Sequence, residues 1–312
     1  MERIRWGNPP VGLFNFPVEQ WAATGRFGEY DVELTTHTHL TGQEYGAQIR
    51  AGAYDMGQIG TPVFLPAALG SDEYAVISIG LCNYAPFYLV AAPGVGSLAD
   101  CRGEPVIINK RWTCPGSLLE WHTRQENMTL DDIQVVELMA QTSFDNYGMA
   151  FVDGIERQAF RAGILYEPYV SLAERKYGWS VLAAYPELLR PANYAILLYA
   201  RRSLIDRKPD LVQRVMGAYF DAATDALAHV DTALKPFADA FPKVQPMDIE
   251  KSVAREAGFW NRGELVDRDL LNRVQRELIH QHLVPDDYRV ADYVQPLHEP
   301  ESAEPAAVGG DR

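Results

Sequence analysis

Short apolar runs alternate with longer amphipathic stretches through the first two thirds of the chain. Apolar runs that end at Gly, Pro or Asn predict strands, and apolar residues three or four positions apart predict helices. The pattern predicts strands over residues 3–6, 30–35, 54–60 and 73–81, and helices over residues 17–24, 41–52 and 61–70. This alternation predicts a parallel sheet with helices on both faces.

Two long apolar runs, residues 84–94 and 191–204, bracket a second unit in which the alternation starts again. Its strands are predicted over residues 104–110, 132–138 and 161–168, and its helices over residues 115–127 and 146–154. We therefore predict an α/β fold of two lobes joined by two crossovers. Residues 1–91 and 193–297 would form lobe 1, and residues 92–192 lobe 2.

The C-terminal third has a different pattern. From residue 209 to about residue 283, apolar residues recur at helical spacing, which predicts a helical C-terminal segment within lobe 1. Residues 298–312 are small, polar and rich in Pro and Gly, which predicts a disordered tail.

Composition narrows the classes of partner. The chain has 312 residues, of which 47% are hydrophobic, and its net charge is −14, so we expect a large core and no binding to nucleic acid. It has no run of 18 apolar residues, so we expect no membrane insertion. The 3 cysteines form neither a disulfide framework nor a metal-binding spacing.

The first residues, MERIRWGNPP, lack the basic and apolar regions of a signal peptide. As written, the chain is therefore expected in the cytoplasm. If its N-terminus has been trimmed, the expected location is periplasmic or at the cell surface.

Several stretches resemble a known family when taken in order. They are WAATGRFGEYDVEL (21–34), YGAQIRAGAYDMGQIGTPVF (45–64), GVGSLADCRGEPVIIN (94–109), MTLDDI (128–133), FRAGILYEPYVSLAERKYGW (160–179) and IDRKPDLVQRVMGAYFDA (205–222). The chain resembles the nitrate/sulfonate/taurine-binding branch of the type II periplasmic-binding-protein family. That branch also contains hydroxymethylpyrimidine synthases and an aromatic desulfinase.

The resemblance implies a ligand held between the lobes by loops at the carboxyl ends of strands, where open parallel sheets also bind ligands on general grounds. The positions of this sequence that match those loops are Asn8, Pro10, Phe14, Thr38, His39, Gly60, Thr61, Trp112, Thr113, Gly116, Ser117, Tyr166 and Glu167.

Five of these positions have a chemical argument of their own. Thr61 and the amides of Gly116 and Ser117 lie at predicted helix starts, which favour anions. Trp112 would stack on a flat ring. Glu167 would either receive a ligand cation or lock the hinge between the lobes.

Histidine and cysteine leave the question of catalysis open. His37 and His39 share a strand face, and the sequence is compatible both with a hydrogen bond in the cleft and with ordinary packing. It suggests no third metal ligand nearby, so we expect no metal. Cys114 lies at a helix start, where the pKa of a thiol would be lowered. His39, Arg111 and Cys114 are weak catalytic candidates.

Two functions follow from the resemblance. The first is a solute-binding protein that closes over a small organic anion or an aromatic or heterocyclic ligand and serves an ABC permease and ATPase. The alternative is a cytoplasmic enzyme on the same fold that acts, like a decarboxylase, on an aromatic carboxylate, sulfonate or pyrimidine-type substrate. Such an enzyme would be a lyase or hydrolase of aromatic acids. The desulfinase-type cysteine is absent after the first strand, where Pro9 and Pro10 stand, and the synthase's cysteine cluster is absent too. No cofactor is therefore expected.

Overall fold

The computed structural model describes residues 1–9, 12–39, 42–60, 73–82, 85–111, 113–138, 147–188, 196–260, 268–280 and 284–295. Two five-stranded sheets form its two lobes. The strands of the first sheet are β1 (Glu2–Asn8), β2 (Val32–Thr38), β3 (Met56–Gly60), β4 (Tyr74–Ile79) and β10 (Ile196–Arg201), in the order β2-β1-β3-β10-β4. Those of the second are β5 (Tyr88–Ala91), β6 (Pro105–Ile108), β7 (Gln134–Glu137), β8 (Ala162–Leu165) and β9 (Ser180–Ala184), in the order β7-β6-β8-β5-β9.

Helices cover and connect these sheets. The α-helices are α1 (Phe16–Ala23), α2 (Gly42–Arg50), α3 (Cys114–Gln125), α4 (Tyr147–Glu156), α5 (Tyr169–Tyr177), α6 (Tyr185–Leu188), α7 (Arg202–Arg207), α8 (Pro209–Ala228), α9 (Val230–Ala233), α10 (Pro246–Glu256) and α11 (Arg268–His280). Short 3-10 helices span Leu13–Asn15, Arg26–Tyr30, Leu98–Cys101, Leu130–Asp132, Lys235–Ala240, Ala257–Phe259 and Val290–Tyr293. None of the described helices is long and apolar enough to cross a membrane.

The predicted α/β architecture of two lobes and two crossovers is confirmed. The chain leaves the first sheet after β4 and returns to it with β10. The C-terminal segment is helical, as its periodicity predicts, and α8 buries one apolar stripe that includes Leu211, Val215 and Tyr219. The predicted helix over residues 61–70 and the predicted tail over residues 298–312 lie outside the described residues.

The prediction of parallel sheets is wrong in part, because both sheets are mixed. β1 is parallel to β2 and β3, but β10 is antiparallel to both β3 and β4. In the second sheet, β6 is parallel to β7 and β8, whereas β5 is antiparallel to β8 and β9. Each antiparallel strand follows a crossover, so it enters its sheet from the opposite end.

Two elements that the predicted boundaries place in lobe 1 belong to, or pack against, the second sheet and its helices. β5 falls in predicted lobe 1, but its backbone pairs with β8 and β9 of the second sheet. α10 also falls in predicted lobe 1, yet it packs against α5. An apolar core continues between the lobes, since the ring of Phe241 lies 5.4 Å from that of Phe16 and 5.8 Å from that of Tyr169.

Candidate functional site

The carboxyl ends of β1, β2 and β3 form one edge of the first sheet, which we call the first-lobe edge. It carries three predicted ligand contacts, Asn8, Thr38 and Gly60, because these are the last residues of three neighbouring parallel strands. The His39 amide donates to the Asn8 carbonyl at 3.4 Å, which keeps the first two loops together. Asn8, Thr38 and Gly60 therefore lie at one edge of the sheet, and their ligand contacts stay predictions.

The side chain of Asn8 is fully hydrogen-bonded inside the lobe. Its Oδ1 accepts from Trp6 Nε1 at 2.7 Å and from Gln58 Nε2 at 3.2 Å. Its Nδ2 donates to Glu19 Oε1 at 3.1 Å and to Thr38 Oγ1 at 3.4 Å, and Thr38 donates to Glu19 as well. A carboxamide has two donors and two acceptor sites, so Asn8 has no spare bond for a ligand. Its ligand contact stays a prediction.

Gln58 lies at the centre of a buried polar network beneath this edge. It donates to Asn15 Oδ1 at 2.9 Å and accepts from Tyr219 Oη at 2.6 Å. Tyr219 in turn accepts from the Leu81 amide at 2.9 Å, in the crossover after β4. Sequence reasoning missed this network, although a glutamine inside the apolar strand MGQIG was a visible signal.

His39 is buried among tyrosines and is only 2% exposed. Its Nε2 is hydrogen-bonded to Tyr54 Oη, and its ring stacks on Tyr45 with centroids 4.7 Å apart. Burial lowers the pKa of His39, the charge of His37 lowers it further, and Glu44 acts in the opposite direction. The ring is therefore neutral at pH 7. Within the described residues, no group of three His, Cys, Asp or Glu side chains could hold a metal ion.

Phe14 faces inward from the first loop and is 7% exposed. It lies in the 3-10 helix directly before α1, whose Phe16 reaches Tyr169 of the second lobe through Phe241. The ring of Phe241 thus links the segment after β1 to the segment after β8. Three predicted contacts, Pro10, Thr61 and Trp112, lie outside the described residues.

The loop between β6 and α3 supplies the second-lobe candidates, and we call it the α3 loop (residues 109–111 and 113). Thr113 is the N-cap residue of α3, but its hydroxyl turns back to Asn109 Oδ1 and to the Lys110 carbonyl, both at 2.6 Å. Thr113 therefore makes no side-chain cap hydrogen bond to α3. Pro115 has no N–H and the Ser117 amide donates to the Thr113 carbonyl, so the amides of Cys114 and Gly116 are the ones that favour an anion there.

Gly116 permits the close approach of the α3 loop to the helix. A Cβ at this position would overlap the backbone carbonyl of Arg111, which cannot rotate away. Behind it, the Ser117 hydroxyl and amide both donate to the Thr113 carbonyl, at 3.2 and 3.1 Å. Thr113, Gly116 and Ser117 thus lie together at the start of α3, where the Ser117 amide is already used by the helix, and their ligand contacts stay predictions.

Two of the weak catalytic candidates lie here, Arg111 in the α3 loop and Cys114 at the first position of α3. Arg111 forms an ion pair with Glu137 at the end of β7, with Nε and Oε1 3.3 Å apart. Burial raises the pKa of the Cys114 thiol to about 12, so the expected lowering at the helix start is wrong. Desolvation outweighs the helix dipole here, and Cys114 is a thiol at neutral pH.

Tyr166 and Glu167 directly follow β8 and lie in the interior. The ring of Tyr166 is stacked 6.2 Å from that of Tyr147 and lies edge-on to Phe87 at 6.5 Å. Only 5% of Tyr166 and 2% of Glu167 are exposed. Aromatic rings and a buried carboxylate therefore lie next to each other directly after β8.

Glu167 receives a guanidinium from its own chain. Arg255 of α10 pairs with its Oε1, Ser252 donates to Oε2 at 2.8 Å, and the Ser171 amide and hydroxyl donate to the same carboxylate at 3.0 Å. Burial raises the pKa of Glu167, while Arg255 and the two serines offset part of this rise. These contacts tie Glu167 to α10, and its two predicted roles, receiving a ligand cation and locking the hinge between the lobes, stay predictions.

No family model and no curated protein matches this chain. Solved structures match it over nearly its whole length. The periplasmic aliphatic sulphonate binding protein SsuA from Escherichia coli is similar with a TM-score of 0.78 at 17% identity, covering 100% of this chain and 98% of that one. The alkanesulfonate-binding protein SsuA from Xanthomonas axonopodis pv. citri, bound to MOPS, is similar with a TM-score of 0.73 at 16% identity, covering 95% and 99%.

The chain has the periplasmic-binding-protein fold. It is also similar to DszB in complex with biphenyl-2-sulfinic acid, with a TM-score of 0.69 at 13% identity over 95% of this chain and 96% of that one. The predicted resemblance to the sulfonate-binding branch is therefore confirmed at the level of the fold. At these identities the likeness concerns architecture, and ligand and activity are separate questions.

Proposed function

We propose that this protein is a solute-binding protein that closes over a small organic anion or an aromatic acid. One observation carries the proposal: α3 begins without a side-chain cap at the carboxyl edge of the second sheet. Thr113, the residue that would cap it, bonds back into its own loop. The amides of Cys114 and Gly116 in the first turn of α3 and the neighbouring cations of Lys110 and Arg111 favour an acid group at this place.

The aromatic side chains around the cleft support a ligand with an apolar body. Tyr166, just after β8, lies against both Phe87 and Tyr147. The fold shared with sulfonate-binding proteins fits the same ligand chemistry. An ABC permease and ATPase would be the partners, and the protein would then work outside the cytoplasmic membrane.

The proposal is tested by a thermal-shift screen of alkanesulfonates, aromatic carboxylates and pyrimidines. Tight binders raise the melting temperature, since a ligand that binds the folded state stabilises it. Substituting Trp112→Ala or Thr61→Ala should weaken binding of the hits about tenfold, whereas Lys251→Ala, on the exposed face of α10, should leave it unchanged. A screen in which no acid or heterocycle shifts the transition would refute the proposal.

The alternative is an enzyme that acts on an aromatic acid, and the likeness to DszB, solved with biphenyl-2-sulfinic acid, favours it. The raised pKa of Cys114 argues against a thiolate nucleophile in the α3 loop. Incubating each hit with the protein and following it by mass spectrometry separates the two functions. A solute-binding protein returns the ligand unchanged, whereas an enzyme consumes it with turnover.

A further inference from the structure

Asn109 follows β6 and is completely buried, with 0% exposure. Its Oδ1 accepts from the Lys110 amide and from Thr113 Oγ1, both at 2.6 Å. A backbone amide can only donate, so the atom that it contacts must be the carboxamide oxygen. The loop therefore determines the orientation of the Asn109 side chain. The other end of its carboxamide is the NH2 group.

Within the part of the chain that the structure describes, that NH2 group has no hydrogen-bond partner. Asn109 Nδ2 is buried and contacts no acceptor there. Almost all buried donors in folded proteins find an acceptor, and one that does not raises the free energy of the folded state. The unsatisfied donor belongs to the residue that also holds Thr113, the N-cap of α3. It thus lies in the α3 loop, beside the helix start.

We propose that Asn109 Nδ2 and the amides of Cys114 and Gly116 at the start of α3 form a subsite that selects the oxyanion of the ligand, either a sulfonate or a carboxylate. This inference rests on the proposed function and names the residue that recognises the ligand's acid group. Every group that this subsite offers is a donor, so an oxygen that only accepts satisfies all of them. A ligand that ends in an amine or an ammonium leaves Asn109 unsatisfied and is rejected.

The substitution Asn109→Asp isolates this role. A carboxylate keeps an oxygen for the Lys110 amide and the Thr113 hydroxyl, so the loop keeps its internal hydrogen bonds. It replaces the donor by a negatively charged acceptor that repels an oxyanion. We expect the affinity for sulfonate and carboxylate hits to fall about 10- to 100-fold, the effect of losing a hydrogen bond to a charged group. Asn272→Asp, an exposed position on α11, makes the same chemical change away from the loop and should alter affinity less than about twofold.

A second measurement on the unaltered protein does not depend on how the variant folds. In a 15N-labelled sample, the Asn109 side-chain NH2 signals, assigned from their absence in Asn109→Asp or by standard through-bond experiments, should move on addition of a saturating sulfonate. Unchanged signals together with unchanged affinity in Asn109→Asp would overturn the subsite and leave the proposed function standing. A protein that binds only ligands without an acid group would also overturn it, and one that binds none of the screened compounds would refute the proposed function itself.

Discussion

At the scale of single residues, Gly116 sets how closely the α3 loop lies against its helix. We predict that Gly116→Ala destabilises the protein by about 1–3 kcal/mol, the usual effect of overpacking. The new Cβ meets the Arg111 backbone carbonyl, so the loop rather than a flexible side chain must move. The free energy of unfolding from urea titration measures the effect.

Gly258→Ala provides the matched control. No atom lies within 4 Å of a Cβ built at Gly258, and its backbone is not left-handed. Equal stability in the two variants would contradict the packing described for Gly116. Since the loop also carries the proposed subsite, ligand affinity should fall in Gly116→Ala alone.

Asp55 illustrates a pH effect at a single residue. Burial by itself would raise the pKa of Asp55, but the hydrogen bonds and charge of Arg5, together with the charge of Arg201, lower it below the ordinary 3.8. Because the folded pKa lies below the unfolded one, the unfolded state binds more protons in acid. Stability from this carboxylate is therefore complete above about pH 5 and is lost as the pH falls through the folded pKa.

We accordingly predict that Asp55→Asn lowers the free energy of unfolding by about 1 kcal/mol at pH 7, as for a partly exposed ion pair. The difference between the variant and the original protein should shrink steadily below about pH 4. Urea titrations between pH 2 and pH 7 would follow it. A difference that stays constant down to pH 2 would contradict the assignment.

Residue roles were the least predictable part of the site. The sequence predicted which loops carry Asn8, Cys114 and Glu167, because strand ends can be recognised from patterns. It did not predict that Asn8 is saturated, that burial outweighs the helix dipole at Cys114, or that Arg255 reaches Glu167. Each of these depends on partners distant in the sequence.

At the scale of elements, α10 is joined to α5 by charged groups. Arg175 of α5 forms a bidentate pair with Asp248 of α10, with bonds of 2.6 and 2.7 Å. Arg255 of α10 pairs with Glu174 at 2.6 Å, and Lys251 reaches the same carboxylate at 2.9 Å. The side chain of Asp248 is 1% exposed, so the ion pair between Arg175 and Asp248 lies in the interior rather than at the surface.

Removing one partner of this buried pair should be costly. We predict that Asp248→Asn destabilises the protein by about 1–3 kcal/mol, because Arg175 loses its counter-ion while remaining partly buried. Lys251→Ala, which removes an exposed cation from the same helix, should change stability by less than about 0.5 kcal/mol. Urea unfolding of both variants provides the comparison, and equal effects would show that burial does not govern this contact.

Most elements were predictable from the sequence, since strand and helix periods are local. β9 and α5 were not predicted, and no direction was predicted for β5 and β10. A continuous apolar run is compatible with both parallel and antiparallel pairing, so residues 84–94 and 191–204 do not indicate the direction of their strands relative to the neighbouring strands. The direction is determined by the path of the crossovers, which depends on both lobes.

At the scale of the whole molecule, two lobes could be predicted but not the attachment of the last segment. A linear pattern assigns residues 193–297 to one lobe because they follow the second crossover. In the structure, Lys243 bonds to Asp153 of α4 at 2.8 Å and α10 packs on α5, so this segment returns to the second lobe. Side-chain charges on distant helices determine that return.

The attachment of α10 has a consequence for biosynthesis. The ribosome releases the strands of the second sheet, with α4 and α5, well before it releases residues 243–256. Until then Glu167 and Arg175 lack Arg255 and Asp248, the partners that they have in the finished protein. Domains usually complete their folding as they emerge, N-terminal parts first. Here the second lobe must wait for a late portion of the polypeptide, so a nascent chain stalled before residue 243 would carry a half-finished lobe with unpaired charges.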